Sequence, residues 1–180
     1  IHDDDFKECL IRWFQYGAFC PVFRLHGDRL PAEPPFTNEL GGGMCKSGAD
    51  NEVWSYGEEV YEILVKYMSM RERLKPYITD VMREAHEKGT PPMRPVFYDF
   101  PDDEHTWEIE DQYMFGPDIL VSPVLSQAQR ERQVYLPMGS QWKNASTGEV
   151  HAGGVTVACA APLDVIPIFL RNGVDLLLFE

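Results

Sequence analysis

The stretch R-W-F-Q-Y-G-A-F-C-P-V-F-R-L-H-G-D at positions 12–28 changes its hydrophobic period halfway, and that change limits what the chain around it can be. Upstream, Phe6, Cys9, Leu10, Trp13 and Phe14 follow the i, i+3, i+4, i+7, i+8 spacing of an α-helix, which predicts that these residues form its buried stripe. Pro21 ends that helix, because it has no N–H to donate and pushes the preceding residue out of the helical region. The following V-F-R-L-H-G is short enough for a strand with Arg24 and His26 on one face and Phe23 and Leu25 on the other. Two polar side chains therefore meet at a strand end, beside Gly27, which lets another group approach closely.

Further along, two periodicities divide the chain. Residues 29–51 hold Pro31, Pro34, Pro35 and the run Gly41, Gly42, Gly43, too many breakers for regular structure and more than most connections need. A loop of that length is often functional. The triple glycine lacks the Lys-Ser/Thr of a phosphate-binding loop and does not stand between a strand and a helix, so phosphate binding is not its reading. Ser55 and Glu58 have capping-box spacing and predict a helix start. Val60, Ile63, Leu64, Tyr67, Met68, Leu74, Ile78, Val81, Met82 and Ala85 carry its apolar stripe, and Gly89 followed by Pro91 and Pro92 stops it. Pro76 predicts a kink or break near Lys75, and Met68, Met70 and Met82 read as core filler. From position 93 the period turns to two, with strand-like runs at 93–100, 113–124, 133–136, 154–160 and 165–170, the pattern of a β-sandwich. Pro167 within the last run suits an edge strand.

Charge and cysteine content narrow the possible partners. A net charge of −13 argues against nucleic acid and anionic membranes, whose binding needs clustered Lys and Arg, and favours a neutral ligand. No apolar run reaches the ~18 residues that cross a bilayer, and the acidic start Ile1-His2-Asp3-Asp4-Asp5 is unlike a secretory signal. Asp3, Asp4 and Asp5 read as a solvated helix cap rather than a catalytic cluster. Cys9, Cys20, Cys45 and Cys159 form no metal-binding pattern. On one helix Cys9 and Cys20 stand ~16 Å apart, beyond the ~7 Å reach of a disulfide, so reduced packing cysteines are expected. The compartment stays open, with the cytoplasm favoured.

The motifs R-W-F-Q-Y-G-A-F-C-P-V-F-R-L-H-G, F-P-D-D, Q-Y-M-F-G-P-D-I-L-V-S-P-V, Y-L-P and I-P-I-F-L-R-N-G occur in one order along nearly the whole chain, and together they resemble glycoside hydrolase family 31, the α-glucosidases and α-xylosidases. The resemblance implies an α+β piece. Residues 1–92 would be the last helix, strand and helix of a (β/α)8 barrel, and 93–180 the adjoining antiparallel β-sandwich. It implies a retaining hydrolase of terminal α-linked xylosyl or glucosyl residues, without metal or organic cofactor, whose two catalytic aspartates precede Ile1. Taken alone, the 180 residues would then be inactive and would pair with the missing barrel segment or self-associate. Among these residues, His26 matches the family's sugar-binding histidine and Arg24 the arginine of the same motif, holding carboxylates or loops. Trp54 lies near the family's proline–tryptophan pair, with Val53 in the proline's place, and the loop at 29–51 would rim the pocket. The alternative is a non-catalytic carbohydrate-binding or interaction module whose sugar platform would be Trp142, Tyr135 and His151.

Overall fold

In the computed structural model, which describes residues 3–25, 50–176, 178 and 179, two long helices lie against one face of an antiparallel sheet. Helix α1 spans Asp4–Ala18, and the Asp3 carboxylate accepts from the Asp5 N–H at its start, the capping role expected of that acidic run. Helix α2 spans Glu58–Lys88 and ends at Gly89 in the left-handed conformation (φ 73°) that glycine adopts without strain. It runs through Pro76 unbroken, so the expected break is not there: burial of Tyr67, Met70, Leu74 and Val81 on either side outweighs one lost hydrogen bond. Nor does the capping box form. Ser55 lies in a 3-10 turn (Val53–Tyr56) and donates to Glu52, leaving Gly57 as the cap of α2. Of the three methionines expected in the core only Met70 is buried, while Met68 and Met82 are exposed.

The face of α1 that packs keeps Phe14 and the partly buried Leu10 of the stripe that its apolar spacing picks out, but is turned away from Cys9 and Trp13. Ile11, Phe14, Ala18 and, between them, the polar Arg12 and Gln15 are buried, whereas Cys9 and Trp13 face outward, Trp13 with 68% of its surface exposed. The helix has two apolar sides, and periodicity alone does not say which one meets the core.

The sheets come next. Strands β1 (Met93–Pro95), β2 (Tyr113–Phe115), β3 (Ile119–Val121), β5 (Gln141–Asn144), β6 (Val150–Ala152) and β8 (Ile168–Arg171) form a six-stranded sheet in the order β1-β2-β3-β8-β5-β6, and β4 (Glu131–Leu136) pairs with β7 (Val155–Ala160) in a second sheet. Side-chain alternation splits the core in two. Phe115, Ile119, Val121, Ile168 and Leu170 point to the helices, while Met114, Leu120 and Phe169 meet Val134, Leu136 and Cys159 of the second sheet. The result is three layers, helices on sheet on sheet, an α+β arrangement.

Three strand expectations are corrected. Residues 93–100 form only the short β1, after which α3 (Val96–Asp99) turns the chain back so that Asp99 reaches the buried guanidinium of Arg94, 3.0 Å away. The run 113–124 is a hairpin, β2 and β3, turning at Gly116, whose φ of 62° requires glycine. Strand β8 is central, between β3 and β5; Pro167 sits just before it, where its missing N–H costs no ladder bond and its carbonyl accepts from Ser122. Strands β5 and β6, too polar for a clear alternation, are additions.

Candidate functional site

The chain leaves α1 toward Arg24 along a path fixed from three sides. Gly17 leaves room for Phe23, since a Cβ there would lie 3.1 Å from the Phe23 ring, and that ring packs edge-on against Phe14 at 4.7 Å. From α2, the Arg71 guanidinium donates to the carbonyls of Ala18 (2.6 Å) and Pro21 (3.1 Å) while lying over the Phe23 ring at 5.3 Å. From β2, the Tyr113 hydroxyl donates to the Phe19 carbonyl at 3.2 Å. These contacts satisfy carbonyls that a helix end leaves without partners, and they aim the next residues. Burial pushes the Cys20 thiol up, with Tyr16 and Arg71 pulling the other way.

Beyond that clamp, residues through Leu25 carry no strand, because no described strand lies beside them to pair with. Arg24 is exposed, whereas His26 and most of the 29–51 loop lie outside the described residues, as does Cys45. Trp54 is 68% exposed on the 3-10 turn, whose buried Tyr56 donates to Asn51. Among the described residues no hydrogen bond or ring contact joins Arg24 to Trp54. The alternative sugar platform loses its tryptophan to packing. Trp142 is fully buried with its indole N–H donating to Pro137, and the half-buried Tyr135 is stacked on His105 at 4.8 Å with its hydroxyl donating to Asp103.

A cleft of about 760 Å³ runs along the outward side of α1, floored by Cys9, Trp13, Tyr16 and Tyr113 and walled by residues 123–127. Two of its four acids are engaged, Glu8 with Arg130 and Asp111 with Arg132. Hydrogen bonding to Arg130 holds the Glu8 carboxyl below the ordinary range against the opposing pull of burial, so at neutral pH it has no proton to give a leaving group. The described residues hold no cluster of three or more His, Cys, Asp or Glu able to bind a metal.

Two side chains that sequence reasoning passed over organise this region. Arg12, beneath the cleft, donates to the carbonyls of Val165 (2.8 Å), Ala161 (2.9 Å) and Gln129 (3.3 Å), and Gln15 donates to Leu163. Arg71 is the clamp described above. Arg12 opens the R-W-F-Q motif, which gave it no role of its own, and Arg71 stands in none of the motifs. Their carbonyl partners are set only when α1, α2 and residues 161–165 come together.

Residues 2–81 match the glycosyl hydrolases family 31 TIM-barrel domain, and 89–174 match the family 31 C-terminal domain. An α-xylosidase of Saccharolobus solfataricus is 36% identical over 93% of this chain and 20% of its own length, and α-glucosidase 2 of Bacillus thermoamyloliquefaciens is 35% identical over 92% and 19%. The chain thus spans about a fifth of the length of the curated relatives it matches. Among solved structures, a family 31 α-xylosidase from a soil metagenome, complexed with xylose, superposes with a TM-score of 0.90 at 52% identity over 97% of this chain and 26% of that one. With both domain models of one family matched in succession, and relatives of that family along nearly its whole length, the chain belongs to glycosyl hydrolase family 31.

Proposed function

We propose that this chain is part of a retaining α-glycosidase that removes terminal α-linked xylosyl or glucosyl residues. The observation that carries the reading is the close superposition, at 52% identity, on an α-xylosidase complexed with xylose. In this reading residues 1–92 are the last helix, strand and helix of a (β/α)8 barrel and 93–180 its adjoining sandwich. Active sites of such barrels gather on loops at the C-terminal ends of the strands. Arg24 and His26 belong to that rim: His26 donates to a sugar hydroxyl, Arg24 holds neighbouring loops or carboxylates, and Trp54 borders the pocket.

Retaining hydrolysis needs two carboxyl groups about 5 Å apart, one as nucleophile and one as acid and then base. In this reading both belong to the part of the barrel outside these 180 residues, which alone are expected to be silent. That part of the barrel is the natural occupant of the cleft beside Trp13, since each barrel helix has neighbours on both sides and, among the described residues, α1 packs against one long helix, α2. Without it, the exposed apolar side of α1 favours self-association.

The test is a His26→Ala exchange in the protein extended through the whole barrel. The KM for an aryl α-xyloside should rise at least about tenfold, the loss of one charged or well-placed hydrogen bond. Proton NMR of the first product should show retained α configuration. An unchanged KM would remove His26 from the site, and an inverted product would exclude the retaining mechanism.

A further inference from the structure

Trp107 is a large aromatic side chain held rigidly in place with one face open. It lies in the 3-10 turn Glu104–Glu108, and 58% of its surface is exposed. One face is stacked on Phe97 at 4.5 Å with the rings only 6° from parallel, and its indole N–H donates to the Pro101 carbonyl at 3.0 Å. Both ring torsions are thereby fixed. The turn beneath it is equally fixed. The fully buried Thr106 hydroxyl sits between the carbonyls of Phe100 (2.9 Å) and Asp103 (2.7 Å). The buried Asp103 carboxylate accepts from the Tyr135 hydroxyl (2.9 Å) and the Met138 N–H (2.8 Å) and caps the turn at His105. The second face of the indole has no ring or cation partner among the described residues.

Leaving that much apolar surface in water is unfavourable, and hydrogen bonds that immobilise the ring serve no core. Together they make a pre-organised stacking surface that a ligand can use without first ordering it. Around it in sequence stand the exposed carboxylates Asp102, Glu104 and Glu108, which accept hydrogen bonds and repel anions. A flat ligand with an apolar face and hydroxyl donors at its edge meets both conditions, and a pyranose ring is such a ligand. We propose that Trp107, backed by Phe97, is an accessory binding site for a neutral α-linked oligosaccharide on the sandwich half of the chain. The choice of sugar as ligand rests on the glycosidase reading, while the existence of the platform does not.

The experiment is a titration of the 180-residue chain with maltotriose, followed through the four indole N–H resonances of Trp13, Trp54, Trp107 and Trp142. The Trp107 resonance should shift with half-saturation in the millimolar range while that of Trp142 stays fixed. Phe97→Leu should weaken the interaction several-fold, and Trp107→Ala should abolish it with the melting temperature kept within about 2 °C, as for an exposed side chain. A Trp107 signal that does not move with maltotriose, or moves only with protein concentration, overturns the proposal; the second outcome would mark the platform as a contact between copies. A silent Trp107 alongside a His26→Ala defect in the extended protein sinks this site alone. A responsive Trp107 alongside an unaffected His26→Ala sinks only the pocket assignment.

Discussion

Replacing Arg12 with methionine should strongly destabilise the chain, although among the described residues no acid forms an ion pair with this guanidinium. Its Nη1 donates to Gln15 (3.0 Å) and Val165 (2.8 Å) and its Nη2 to Ala161 (2.9 Å) and Gln129 (3.3 Å). Methionine fills much of the same volume but leaves the carbonyls of Val165 and Ala161 without this donor, while that of Gln129 keeps Arg130 at 3.0 Å. A hydrogen bond from a charged group contributes ~1.5–3 kcal/mol net, so the two short bonds to Val165 and Ala161 alone amount to ~3–6 kcal/mol. Relieving the burial of a charge, which already lowers the Arg12 pKa, offsets part of that and leaves a loss of about 3 kcal/mol. At 2–4 °C per kcal/mol for a chain of this size, the melting temperature should fall by roughly 6–12 °C. Thermal melts by circular dichroism read this directly, with Arg83→Met as control, since Arg83 forms only an exposed pair with Asp80 and should move it by less than about 2 °C. If Arg12→Met melted within about 2 °C of that control, water would be serving these carbonyls equally well and the guanidinium would not join the helices to the sheets.

Three further outcomes follow from other parts of the structure. Gly116→Ala should destabilise by more than about 2 kcal/mol in chemical denaturation, because φ is 62° and its Cβ would lie 2.3 Å from the Tyr77 hydroxyl, which donates to Phe115 and accepts from the Asp118 N–H. Glu8 has a pKa lowered chiefly by its bond to Arg130, so its stabilisation is present above the ordinary carboxylate range and is lost as pH falls through the lowered value. Melts of Glu8→Gln and wild type should therefore differ at neutral pH and converge in acid; a constant difference would contradict the ion pair. Burial pushes the Cys159 thiol up to about 11, so iodoacetamide at pH 8 should label exposed Cys9 well before Cys159, as mass spectrometry of partly labelled protein would reveal.

What could be read in the sequence is what local pattern dictates. The α2 stripe from Val60 to Val81, the Gly89 stop and the alternation of Val134 and Leu136 in β4 all follow from short-range periodicity. Questions of which neighbour an element meets were not legible. The spacing on α1 placed Cys9 and Trp13 with Phe14 in the core, because nothing local reveals that Arg12 and Gln15 instead find carbonyl acceptors some 150 residues away. Pro167 read as an edge signal because the register that leaves it outside β8 is fixed by β3 and β5. Likewise the order of motifs carried the family, while the Arg71 clamp on Ala18 and Pro21 arises only when α2 folds back on α1.

Hydrolysis of an aryl α-xyloside and an aryl α-glucoside, measured on the 180 residues and on the same chain extended through its barrel, tests the assignment most directly. The extended protein should turn over one of them and the 180 residues neither. Comparable rates from both would mean that the reacting carboxyl groups lie within this chain, contrary to the proposal.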